Sequence, residues 1–338
     1  MAPWVAALGL VLAGAGGPPR AMALGAAQLA VVINVADPLS VAIGDYYVRA
    51  RHIPPRNVAR IAFGYHRTII AAAEFAALKA AVDAQLPATV QAYALTWARP
   101  YRVECMSITA AFTFGFDRRY CATGCQLTQL SRYFDSDSAV PYRDLGLRPA
   151  MSLAATTFAE AKALIDRGLR ADGTAPAGTA YLLYGGDPVR DVRAAGYADA
   201  AMLARGRVRI VVQQSPALRD RHDVMFYFLG AVRVAGLETD HFLPGAVADH
   251  LTSYGGALTD SSQMSSLHWL EAGATASYGT VVEPCNFATK FPSPALLMRR
   301  YLAGETVLEA YWKSVAMPGQ GVFIGEPLAA PYRAGPAP

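Results

Sequence analysis

The chain has 338 residues, 53% of them hydrophobic and 17% charged, which is ample material for a buried core and argues against extensive disorder. Its 30 basic and 26 acidic residues leave a formal net charge of only +4, with no long run of like charge. A nucleic-acid binder would concentrate basic residues on one face or tail, so the charge pattern argues against that class.

The first element is an apolar run from Trp4 to Ala15, followed by Gly16-Gly-Pro-Pro19 and then Ala21-Met22-Ala23. This is the length of a secretory h-region with a small-x-small cleavage pattern, so residues 1–23 read as a signal peptide. The released chain would start at Leu24 and reside in the periplasm or outside the cell. No Lys or Arg precedes the run, and a buried amino-terminal helix is the alternative. No other stretch approaches the ~20 apolar residues of a membrane span.

From Leu24 to residue 333 the pattern predicts a single α/β domain, with a disordered tail over 334–338. Leu29 to Val35 reads as a buried parallel-type strand, and Ser40 caps a helix through Ala50. A strand over Val58 to Phe63, a helix over Ala71 to Leu86 and a strand over Gln91 to Thr96 continue the alternation of a doubly wound sheet. Residues 101–150 break it, and an irregular insertion of this length reads as a lid, a binding loop or a stapled subdomain. The rhythm resumes with a helix from Thr157 to Gly168 and strands over Ala180 to Tyr184, Val208 to Gln213 and Val224 to Leu229. Ala246 to Thr252 reads as strand or helix. A helix over Ser262 to Ala272 and a strand over Thr275 to Tyr278 follow, then helices over Ala295 to Leu302 and Val307 to Ser314. Val322 to Gly325 closes the sheet.

Four cysteines, Cys105, Cys121, Cys125 and Cys285, are an even set compatible with two disulfides in an exported protein. The Gly in Cys121-Ala-Thr-Gly-Cys125 favours pairing Cys121 with Cys125 and Cys105 with Cys285. A zinc site is the rival reading, although C-x3-C is a weak metal signature.

Candidate site residues gather where strands end. Asp187 follows a strand and two glycines, as a ligand-binding carboxylate or an ordinary turn residue. Asp249, His250 and Ser253 are the residue types of a catalytic triad, but neighbours on a strand point to opposite faces and rarely converge. Glu283, before Pro284, is a candidate general acid or base, or a carboxylate that accepts loop amides. G-x-G-x-x-G, the P-loop pattern and G-x-S-x-G are all absent, so no cofactor is implied and an α/β-hydrolase elbow is not expected.

The segments Val32 to Ile43, Arg51-His-Ile-Pro-Pro55, Pro244 to His250, Ala272 to Gly279, Glu283-Pro284 and Gly304 to Trp312 together resemble a family of uncharacterised exported bacterial proteins. That family occurs in genomes carrying exosortase, the membrane enzyme that sorts PEP-CTERM proteins. The resemblance implies a setting in cell-envelope or exopolysaccharide biology. More distantly, the helix-Ala-Gly-Ala-strand order with Gly325-Glu-Pro-Leu328 is similar to caspase-like folds of the gingipain and CHAT type. This implies a three-layer α/β domain with a mostly parallel central sheet. Those enzymes place His-Gly after one strand and Cys after the next, and here Leu229-Gly230 and Ser253 stand at those positions.

Two readings follow. One is a non-catalytic caspase-like module that binds a peptide or polysaccharide, with Asp187, Asp249, Tyr254 and Tyr278 as candidate ligand contacts. The other is an active hydrolase or peptidase using Ser253 or Cys285, with a base from His222, His241 or His250 and Glu283 or Asp249 as orienter.

Overall fold

The computed structural model describes residues 24–334, so the expected signal peptide and the last four residues lie outside the described residues. The first block is β1 (Leu29–Asn34), α1 (Pro38–Ala50), β2 (Val58–Ile61), β3 (Ile69–Ile70), α2 (Ala72–Asp83) and β4 (Ala92–Leu95). Every residue of β1 is buried, as a strand covered on both faces requires. Asp37, not Ser40, caps α1, accepting from the Leu39 amide with Pro38 in the first turn. Ser40 Oγ instead accepts from the Asn34 amide and bonds Thr96 Oγ1 at 2.6 Å, tying the helix to two strand ends.

The stretch expected to be irregular carries β5 (Arg102–Val103), β6 (Met106–Ser107), α3 (Ile108–Phe114) and α4 (Pro141–Leu145), before β7 (Ala150–Ser152). Six of the seven residues of α3 are buried. A helix covered all round shows no amphipathic period, which is why the sequence hid it.

Then follow α5 (Phe158–Ala171), β8 (Thr179–Tyr184), α6 (Tyr197–Leu203), β9 (Arg209–Gln214), β10 (Val224–Gly230) and β11 (Phe242–Leu251). The chain ends with α7 (Leu267–Ala272), β12 (Ala276–Thr280), α8 (Pro294–Leu302), α9 (Val307–Ser314) and β13 (Gly321–Gly325). The segment read as strand or helix is the strand β11, and it is all buried from Ala246 onward.

Ten strands form one sheet in the order β2-β1-β4-β7-β13-β12-β11-β10-β8-β9, while β3, β5 and β6 form a small second sheet. Neighbours in the large sheet are parallel except β12 and β13, which pair antiparallel with Tyr278 opposite Phe323. The sheet is therefore two parallel blocks running in opposite directions. The carboxyl ends of β10, β11 and β12 open at the same end as the start of β13.

Helices cover both faces. Asp249 on β11 meets Tyr311 of α9, while its neighbour His250 meets Trp269 of α7. Successive strand residues point to opposite faces, so α7 and α9 lie on different sides. Arg167 of α5 joins the α7 side by donating to the Leu270 and Ala274 carbonyls. This is a mixed α/β fold with a large, mostly parallel central sheet flanked by helices.

The disulfides depart from the expected pairing. Cys105 is bonded to Cys121, and Cys125 to Cys285. The β5–β6 turn presents Cys105, and a short helical turn over Arg118–Tyr120 delivers Cys121 to it. Cys125 then reaches the loop after β12, where Cys285 holds a left-handed backbone at φ +55°. The cystines thus staple the insertion to itself and then to the sheet end.

Candidate functional site

The loops leaving β8, β11 and β12 converge. Arg190, Thr252, Ser253, Glu283, Cys285 and Asn286 are among the residues lining a cavity of about 50 Å³. That space exceeds the ~30 Å³ share of one liquid water but is far short of a peptide residue with its surroundings. Adjacent parallel strands feed it, since Gly230 of β10 lies opposite Leu251 of β11. Leu229-Gly230 and Thr252-Ser253 therefore emerge side by side.

The Ser253 loop is fastened from both sides. Thr280 Oγ1 donates to the Thr252 and Ser253 carbonyls at 3.0 and 2.9 Å, and Gln263 Oε1 accepts from the Tyr254 amide and from Thr252 Oγ1. Gly256 lies against Gly279, where a Cβ would come within 2.5 Å of the Gly279 carbonyl oxygen, so the two glycines permit the loop to lie on β12. Ser253 is half-buried, and its hydroxyl makes no hydrogen bond among the described residues.

The histidines are elsewhere. His250 is buried and accepts from Trp269 Nε1 at 2.9 Å through Nδ1. Its Nε2 has no partner of good geometry, although the Met264 backbone lies close enough to favour the protonated ring. Burial, then the Arg193 cation, pushes its pKa down to about 3, so the ring is neutral. His222 and His241 flank the starts of β10 and β11, with the His241 carbonyl accepting from the Val224 amide. The ten residues of β11 separate that end from Ser253 by roughly 30 Å. His268 is exposed and bonded to Glu271 at 2.7 Å.

The carboxylates are engaged. Glu283 accepts from the Cys285 amide at 2.7 Å, and its own carbonyl accepts from Gln320 Nε2 at 2.9 Å. Asp187 accepts from the Val189 amide and pairs with Arg190, which holds its carboxyl below the ordinary range. Asp191 is the residue that binds the Gly185 and Gly186 amides, each at 2.8 Å. Asp249 is fully buried against Arg193, whose guanidinium also donates to the Leu229 carbonyl at 3.1 Å. Burial disfavours the Arg193 cation, but Asp249 beside it outweighs that and holds its pKa up. Tyr278 is buried and donates to the Lys290 carbonyl, and burial raises its pKa; Tyr254 is half-buried and does not line the cavity.

Sequence reasoning missed Arg193 and Lys290. The Lys290 ammonium is buried near the Phe287 ring, 5.1 Å from its centroid, and makes no hydrogen bond among the described residues. Burial pulls its pKa down to about 8, against the opposing charge of Glu283. With all four cysteines in disulfides, the zinc reading loses its ligands.

A second concavity lies beside the edge strand β9. Gln213, Ser215, Leu218, Arg219, Arg221 and Arg233 line a cleft of about 430 Å³ with no acidic residue in its wall. Arg233 donates to the Ser262 carbonyl at 3.3 Å, and Arg221 sits 5.9 Å from the centroid of Tyr181. None of the three guanidinium groups is in an ion pair among the described residues.

No protein-family model and no curated protein matches the chain. A solved structure described as "Structure of Protease" is similar at 10% identity with a TM-score of 0.48, covering 91% of this chain and 79% of that chain.

Proposed function

We propose that this chain is an exported, non-catalytic binding module on a caspase-like scaffold, acting on an anionic ligand in the envelope of exosortase-bearing cells. The observation that carries this reading is the lack of a base for either candidate nucleophile. Cys285 is tied to Cys125, and a sulfur in a disulfide cannot attack a carbonyl as a thiolate. Ser253 has none of the six histidines in hydrogen-bond contact, and a serine without a base is a weak nucleophile at neutral pH.

The ligand enters at the cleft beside β9. A volume of about 430 Å³ lies within the usual range for small-ligand sites, and guanidinium forks match carboxylate and phosphate oxygens in pairs. Of the peptide and polysaccharide readings, three unpaired arginines favour a polysaccharide bearing acidic groups. The test has two parts. Fluorophosphonate and epoxide probes should leave the exported protein unlabelled, and labelling abolished by Ser253→Ala would overturn the non-catalytic reading. Immobilised polygalacturonate should retain the protein while neutral dextran does not. Retention unchanged in the Arg219→Met/Arg221→Met/Arg233→Met variant would remove the cleft from the proposal.

A further inference from the structure

Among the described residues, the most deeply placed carboxylate outside any ion pair belongs to Glu309 on α9. Its residue is 2% exposed, and its oxygens take hydrogen bonds from the Thr306 amide at 2.9 Å and the Thr306 hydroxyl at 2.7 Å. These complete a capping box at the start of α9. Its neighbour Glu305 is neutralised by Lys313 and Arg300 at 3.0 and 3.2 Å. Glu309 has no side-chain cation among the described residues. A buried carboxylate without a countercharge is costly, so a cation placed against these oxygens would stabilise the fold.

Besides the buried phenol of Tyr133, whose pKa burial and then the Glu309 charge raise, a backbone group faces Glu309. The backbone nitrogen of Leu24 lies 3.3 Å from both Oε1 and Oε2, across 285 residues of sequence. Leu24 itself is 2% exposed and belongs to the core, and its carbonyl accepts from Arg333 at 3.0 Å. A peptide N–H shares one hydrogen between two oxygens at this distance. An α-ammonium at the same atom would offer three hydrogens and a full positive charge.

We propose that cleavage between Ala23 and Leu24 creates this ammonium, and that the new amino terminus docks as the buried counterion of Glu309. Hydrolysis of the Ala23–Leu24 peptide bond consumes one water, leaves a carboxylate on Ala23 and yields the Leu24 amine, which is protonated at neutral pH. Two independent observations converge on the same residue. Ala21-Met22-Ala23 is a small-x-small cleavage pattern in the sequence, and the nitrogen that cleavage would free is the one aimed at a buried carboxylate. Processing then completes the fold, because it gives Glu309 a countercharge that no side chain among the described residues supplies. The inference rests on export, and the two can fail separately.

The test uses the full chain expressed with its own first 23 residues in a bacterium that secretes it. Fractionation reads export, and intact mass reads the new terminus. A secreted protein that starts anywhere but Leu24 overturns the proposal while leaving export intact. In the processed protein, an amine-reactive ester should label the α-amine at least ~10-fold more slowly in the native than in the denatured state, and equal rates would overturn it. Inserting a Gly between Ala23 and Leu24 displaces the ammonium, and Glu309→Gln retains a capping-box side chain while removing the charge. Each should lower the melting temperature by about 3 °C or more near pH 6. The amine in the unfolded chain titrates near ~8, and a carboxylate partner raises that value in the fold. The stabilisation is therefore present below about pH 8 and is lost as pH rises through the folded value. A melting-temperature difference that keeps the same size from pH 6 to pH 10 would overturn the pairing.

Discussion

Asp249 and His250 are neighbours on β11 and serve opposite sides of the sheet: Asp249 is paired with Arg193 beneath the Leu229 carbonyl, and His250 accepts a hydrogen bond from Trp269. Strand geometry separates two residues that, in the sequence alone, look like parts of one catalytic group.

The Arg193–Asp249 pair makes the first prediction. Both side chains are buried, and Tyr311 reaches the second carboxylate oxygen at 3.4 Å. Arg193→Met strands a carboxylate in the core and should cost about 3–5 kcal/mol in urea unfolding. Arg193→Met with Asp249→Asn removes both charges and should recover much of that loss. Equal losses in the single and double variants would show that the pair is not coupled.

His250 predicts an acid-sensitive fold. Its folded pKa of about 3 lies below an unfolded value near ~6.5, so between these values the unfolded chain binds more protons. Stability is present above about pH 6.5 and falls as pH falls toward 3, by up to roughly 5 kcal/mol at full effect. His250→Gln has no titrating ring and should flatten this limb of the stability profile. An acid limb of unchanged slope in that variant would place the sensitivity elsewhere.

The sequence left β11 open as strand or helix, but β8 and β10 were legible as short apolar runs bounded by turn residues, because their residues are covered on both faces. The antiparallel junction of β12 with β13 was not, since strand direction depends on the path through α8 and α9, not on composition. Within the site, Ser253 follows one buried strand and Glu283 and Cys285 follow the next, and the two loops meet at one cavity. Arg193 was missed because it sits in a short 3-10 segment over Asp191–Gly196 with no apolar period to mark it as buried. The cysteine pairing was unreadable for a different reason. Gly124 allows a turn, but the partner of each cysteine is set by where the β5–β6 turn and the loop after β12 lie in space.

Lys290 predicts the same direction of pH dependence as His250, in a higher window. The folded ammonium titrates near about 8 against an unfolded value of ~10.4, so the buried site favours the neutral amine. Stability should rise as pH climbs from about 8 toward 10.4, by at most about 3 kcal/mol, until general alkaline effects intervene. At pH 7 the lysine carries a charge that nothing among the described residues hydrogen-bonds, so Lys290→Met should raise the melting temperature. A lower melting temperature at pH 7 would mean that the ammonium has a stabilising partner.

The two cystines should differ in worth. Cys105–Cys121 spans 16 residues and Cys125–Cys285 spans 160. In the chain-entropy account a crosslink restricts the unfolded chain by an amount that grows with the logarithm of the enclosed loop, so a tenfold longer loop adds about 2 kcal/mol. Cys125→Ala/Cys285→Ala should therefore destabilise by about 2 kcal/mol more than Cys105→Ala/Cys121→Ala. The first variant also frees the loop that carries Glu283 and should enlarge solvent access around Ser253, which hydrogen exchange of the Thr252 to Gly256 amides would report as faster. Peptide mapping without reductant checks the premise, because a Cys121–Cys125 crosslinked fragment would contradict the connectivity on which the ranking depends.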